Sequence, residues 1–113
     1  MRRAESNFVM PKATEVAVRL GAAIRAARLA RNVTQENIAE RARMSPLTWL
    51  KIERGEVSVA MASWLSALEQ VGLLSVLGAA ASPEADPLGA ALRREQARAR
   101  ARPSPAAVAD FDF

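Results

Sequence analysis

An all-α fold is what this 113-residue sequence predicts: five short helices on one core, then a tail that is largely disordered or partly helical. Three observations predict it. Apolar residues recur three and four apart through most of Val16 to Leu77, the spacing of buried helix faces. Helix-start residues (Thr34, Ser45-Pro46) and helix-stop residues (Gly55, Gly72) separate those stripes. At Ser82-Pro83 the composition changes to Ala, Pro and Arg with few large apolar side chains, too few to offset the entropy of ordering a chain. The expected division is a flexible arm over 1–13, one domain over 14–81 and a tail over 82–113, a length that suits a single small domain.

Taken in order, residues 1–13 have no sustained period. Arg2, Arg3 and Lys12 are either a frayed terminus or an arm that reaches a phosphate or a minor groove, and Phe8, Val9 and Met10 are a short apolar patch able to pair with another chain. The first helix is expected over 14–31, with Val16, Leu20, Ala23, Ile24 and Ala27 on its apolar stripe and Arg19, Arg25 and Arg31 off it. Asn32 and Val33 break it.

The next two helices are short. One runs from Gln35 to Ala42 with Thr34 as its cap. The other runs from Pro46 to Arg54 with Ser45 as its cap and Pro46 at the first helical position, where the missing N–H is no loss. Ile38, Ala39, Trp49 and Ile52 face inward, and Gly55 stops the pair. Two helices of this length joined by a three- to four-residue corner are the outline of a DNA-binding helix-turn-helix.

After a loop over Glu56–Val59, in which Ser58 is the expected cap, a fourth helix is expected from Ala60 to Val71. Met61, Trp64, Leu65, Leu68 and Val71 share one of its faces. Gly72 ends it, and Leu73, Leu74, Val76 and Leu77 make a short, very apolar fifth helix. That segment is richer than one small domain needs, so Trp64, Leu68, Leu73, Leu74 and Leu77 are candidates for a homodimer interface. In the tail, Leu88, Ala91 and Leu92 mark one more helix, Pro87 to Arg100, ended by Arg102-Pro103-Ser104-Pro105. Phe111 and Phe113 on the acidic terminus are either part of a disordered tail or the anchors of a segment that orders on a partner.

Composition excludes several function classes. The chain has no cysteine and no histidine, which removes disulfides, thiolate metal sites, and the commonest general base and metal ligand. No nucleophile–base pair, metal set or phosphate loop is present, so no catalytic residue, metal or cofactor is expected and the protein reads as a non-enzyme. No apolar run approaches the ~20 residues that span a bilayer, and no apolar signal core follows Met1-Arg2-Arg3. The expected place is the cytoplasm, on the nucleoid when bound to DNA. The net charge is +4, and residues 1–81 hold 11 Lys/Arg against 7 Asp/Glu while residues 82–113 hold five of each. The excess therefore lies with the helix-turn-helix and suits a polyanion.

The stretch TQENIAERARMSPLTWLKIERG, residues 34–55, resembles the centre of the XRE family, which includes the phage lambda repressor and Cro. Thr34-Gln35, Ile38-Ala39, Ser45 and Ile52-Glu53-Arg54-Gly55 carry the match, and Ile24-Arg25-Ala26-Ala27-Arg28 matches the end of the family's first helix. The resemblance covers about residues 17–78 and implies a lambda-repressor-like five-helix domain. One departure is Arg43, which stands in the corner where the family usually has Gly. If a left-handed backbone is required there, an L-residue costs about 1 kcal/mol. The resemblance also implies that Arg28 and Glu53 form a partly buried ion pair tying the first helix to the end of the recognition helix.

The resemblance sets out the DNA contacts too. Pro46, Leu47, Thr48 and Lys51, away from Trp49 and Ile52, match the family's base-reading positions. Gln35 matches a family phosphate contact that also braces the recognition helix, while Arg43, outside the family's pattern, is a candidate for a base or a phosphate by its place in the corner alone. Arg54 and the amides near Ser45 bind backbone. The reading face has no Gln, Asn or Arg for bidentate pairing, so modest direct readout is expected, with a sizeable share from phosphates and DNA shape.

Within that group the layout is similar to HipB-type antitoxins. Gly72-Leu73-Leu74, the stretch Asp86-Pro87-Leu88-Gly89-Ala90-Ala91-Leu92, an Arg/Ala basic run and the Asp112-Phe113 terminus carry this likeness. It implies a repressor of its own two-gene operon, partnered by double-stranded operator DNA, a second copy of itself and a HipA-like kinase toxin. The alternative is a stand-alone or phage-type repressor with no toxin.

Overall fold

The computed structural model describes residues 10–102. They form α1 (Pro11–Ala30), α2 (Gln35–Arg41), α3 (Pro46–Glu53), α4 (Met61–Gln70), α5 (Leu74–Ala79), a 3-10 turn (Pro83–Ala85) and α6 (Pro87–Ala101). The fold is all-helical, with no strand among the described residues. The chain divides into two compact units at 77/78, a turn before the expected boundary at 81/82. Arg2, Arg3, Phe8, Val9, Phe111 and Phe113 lie outside the described residues.

In the first unit one cluster of buried residues forms the core: Ile24, Ile38, Ala39, Ala42, Trp49, Ile52, Ala67, Leu68 and Val71. The ends of the helices explain how so short a chain surrounds it. The termini of α1, α2, α3 and α4 share one device. In each, the second residue past the last helical one has a positive φ: Asn32 (53°), Arg43 (58°), Gly55 (77°) and Gly72 (75°). The amides of that residue and the next turn back onto the last turn, as in Arg43 N–H to the Glu40 carbonyl (3.0 Å) and Met44 N–H to the Ala39 carbonyl (3.0 Å). This is the Schellman arrangement, which satisfies orphan carbonyls and reverses the chain within two residues. The caps at the other ends are Thr34, whose hydroxyl accepts from the Asn37 amide, and Ser45, whose hydroxyl accepts from the Thr48 amide, each at 3.1 Å.

Four expectations need correction. First, α1 begins at Pro11, three residues before the expected start, and takes Pro11, Lys12 and Ala13 from the arm. Proline is preset for the first helical position, but these three residues are exposed and add nothing to an apolar stripe. Second, its inward face is Leu20, Gly21, Ile24, Ala27 and Arg28, while Val16 and Ala23 are exposed. Third, Ser58 caps nothing, since α4 starts after Ala60 without a side-chain cap. Fourth, Leu68, a dimer candidate, is 1% exposed inside the core and has no surface to offer a second copy. Of the other candidates, Trp64, Leu73 and Leu74 are partly buried against the core and Leu77 is exposed.

The second unit is built on local signals. Ser82 accepts from the Glu84 amide to start the 3-10 turn, and Asp86 accepts from the Gly89 amide at 3.0 Å to start α6, with Pro87 in the first position. No residue of α6 is buried.

Candidate nucleic-acid interface

α3 is short, so its direction depends on what holds its ends. At the C-terminal end α1 packs backbone to backbone against it. A Cβ on Gly21 would meet the Ile52 carbonyl oxygen and sit 2.8 Å from the Gly55 nitrogen and 2.9 Å from the Glu53 oxygen; a Cβ on Gly55 would meet the backbone of Val18. The two missing side chains let α1 touch the last turn of α3.

Beside that contact lies a polar hub. The Glu53 carboxylate accepts from Arg28 Nε at 2.6 Å and Arg28 Nη2 at 3.1 Å, from Gln35 Nε2 at 2.8 Å, and from Trp49 Nε1 at 2.6 Å. Arg28 Nη1 donates to the Val33 carbonyl at 2.9 Å. The two charged side chains are 9% and 3% exposed. Four donors match the four lone-pair sites of a carboxylate, and among the described residues no buried side-chain N or O lacks a partner. Burial alone would raise the Glu53 pKa. The hydrogen bonds from Arg28, Trp49 and Gln35, with the Arg28 charge, outweigh it and hold the carboxyl below its ordinary value. One residue thus joins α1, α2 and α3. At the other end of the motif, Ser66 Oγ on α4 donates to the Ala42 carbonyl at 2.9 Å, fixing the corner from behind.

What this frame presents outward is the other face of α3. Leu47, Lys51 and Arg54 stand at i, i+4 and i+7, one stripe on a helix. Pro46, Leu47 and Arg54 are exposed and Lys51 is half-buried. Leu47 is 59% exposed. Thr48 is half-buried, with its hydroxyl 3.0 Å from that of Ser45, so it belongs partly to the cap. Ser45 is exposed and Arg43 projects from the corner into solvent. Gln35 is half-buried, its amide donating to Glu53. The structure thus gathers Arg28, Glu53 and Gln35 into the brace and leaves Arg43, Pro46, Leu47, Lys51 and Arg54 outward.

Sequence reasoning missed three supports. Trp49 and Glu53 are four apart on one helix, so their contact was legible in the spacing. Gly21 and Ser66 carried no such signal, because a close backbone approach and a bond to a distant carbonyl depend on tertiary packing.

A family model described as a helix-turn-helix domain matches residues 19–81, more than half of the chain. No curated protein and no solved structure matches it. No helix among the described residues is long and apolar enough to cross a membrane.

Proposed function

The chain belongs to the helix-turn-helix domain family, and from that premise we propose that it is a sequence-specific DNA-binding repressor that reads its operator with α3. The observation that carries this reading is the braced α3. Its inward face is locked by Glu53, while Leu47, Lys51 and Arg54 form an outward stripe beside a capped N-terminus. A recognition helix lies in the major groove with its N-terminal residues on base edges. Lys51 donates to guanine O6 or N7, Leu47 packs a thymine methyl, and Arg43, Arg54 and the amides after Ser45 hold phosphates. Lys51→Ala should relax sequence preference and Arg54→Ala should weaken all sequences alike, read by binding to the DNA upstream of the gene and to scrambled duplexes. If both only lower overall affinity, α3 is not the reading helix.

Within this reading the protein is an XRE-type cytoplasmic regulator that binds as a homodimer and performs no catalysis. It is the antitoxin of a HipA-like kinase toxin, with Phe111 and Phe113 as the toxin-binding anchors. Support for the toxin partner comes from the likeness of the tail and from α6, where Leu88 is 70% and Leu92 48% exposed among the described residues. The plain repressor without a toxin is the other reading. Co-purification of the neighbouring gene's product with the full chain, lost when the chain ends at Ala81, supports the antitoxin; equal DNA binding with nothing retained leaves the repressor alone.

A further inference from the structure

The most concentrated charge on the described chain is on α6, not on the helix-turn-helix. Arg93, Arg94, Arg98, Arg100 and Arg102 fall within ten residues, opposed only by Glu95. The tail reads as neutral because its remaining acids stand elsewhere: Glu84 and Asp86 before the helix, Asp110 and Asp112 at the end. All five arginines are exposed. None forms an ion pair: among the described residues the sole salt bridge is Arg28–Glu53. Arg93 gives one hydrogen bond, 3.2 Å to the Pro83 carbonyl. By helical spacing Arg93 and Arg94 fall on the side away from Leu88 and Leu92, with Arg98 and Arg100 on its two flanks. Arg94 and Arg98 are four apart, a like-charge pair that destabilises a helix. A 15-residue helix that buries nothing and repels itself is marginal alone, and a polyanion removes the repulsion.

We propose that the arginine face of α6 is a second, sequence-independent nucleic-acid contact that grips the phosphate backbone of duplex DNA. Guanidinium forks match phosphate oxygens bidentately. A membrane surface is the weaker match, because residues 93–102 contain no large apolar or aromatic side chain to enter lipid. The grip adds affinity and salt dependence and no sequence preference. It stands apart from base reading by α3, since it acts on a duplex with no operator.

The test uses the full chain and a random-sequence duplex, with affinity followed from about 50 to 200 mM salt. One variant replaces Arg93, Arg94, Arg98 and Arg100 with Gln, a good helix former; another replaces them with Lys. Circular dichroism confirms that both keep their helix content. The Gln variant should lower the slope of log affinity against log salt by about 3 and weaken binding at low salt at least about tenfold, while the Lys variant keeps both. A Gln variant with the wild-type slope overturns the proposal, as does a Lys variant that loses as much as the Gln variant. Arginine-dependent binding to mixed phosphatidylserine–phosphatidylcholine vesicles, with the duplex slope unchanged, also overturns it in favour of a membrane. Loss of sequence preference in Lys51→Ala bears on α3 alone and leaves this outcome untouched.

Discussion

Glu53 accepts from four N–H groups on three helices, so removing its charge acts on the whole frame. Glu53→Gln keeps the shape but turns one acceptor into a donor facing Arg28 and either Gln35 or Trp49, and strands a buried cation. Losing one partner of a buried pair typically costs about 3–5 kcal/mol, which urea unfolding should show. The same residue sets the pH response. Its folded pKa lies below the ordinary 4.5, so its stabilisation is complete above that value and is lost as pH falls through the folded pKa. With no histidine or cysteine, stability should be nearly flat from about pH 6 to 8 and fall below about 4.5, and the fall should be shallower in Glu53→Gln. Arg43 makes the opposite case. Its φ of 58° is left-handed, a strain of about 1–2 kcal/mol for an L-residue. Arg43→Gly should therefore raise stability by about 1 kcal/mol, or about 4–8 °C in melting temperature, and weaken DNA binding. A variant that gains stability and keeps full affinity would show that the side chain has no part in binding.

At the scale of elements, the most legible helix ends were those that a capping Thr or Ser, a proline or a glycine decides. Thr34, Ser45, Pro46, Gly55 and Gly72 stand where the structure uses them. Ile38, Ala39, Trp49 and Ile52 face inward for the same local reason, two short apolar stripes. The orientation of α1 was less legible. Its buried stripe includes Gly21 and Arg28, which no hydrophobic count selects: one is buried by the absence of a side chain, the other by Glu53. Two glycine substitutions separate space from propensity. A Cβ at Gly21 meets only backbone, which cannot move aside, so Gly21→Ala should destabilise by about 1–3 kcal/mol as an overpacked contact. A Cβ at Gly78 in α5 meets nothing within 4 Å, so Gly78→Ala should stabilise by up to about 1 kcal/mol through helix propensity. Thermal denaturation of the two variants reads both signs.

For the molecule as a whole, the helix of the second unit was legible as Pro87 to Arg100, one residue short of α6, while averaging the charge over 82–113 concealed how closely its arginines cluster. The first unit also carries an apolar groove among the described residues. α1, the 57–60 loop, α4 and Leu77 line this groove of about 510 Å³, with Val16, Leu20, Val59, Met61 and Trp64 among its walls. Val16 and Met61 are more than half exposed, and Val76 beyond the groove is 69% exposed. In the proposed homodimer a second copy covers this surface, and a two-fold pair of α3 helices then addresses two half-sites a turn of DNA apart. Under the proposed homodimer the expected interface keeps Leu77, loses Leu68 to the core and gains Val16, Met61 and Val76. Met61→Glu and Leu77→Glu put charges on an exposed face, so each should fold normally yet shift sedimentation equilibrium toward monomer and reduce affinity for a two-half-site operator more than for a single half-site. A wild-type chain that sediments as a monomer at every concentration rules out the homodimer. A dimer that persists in both variants places its interface elsewhere on the chain.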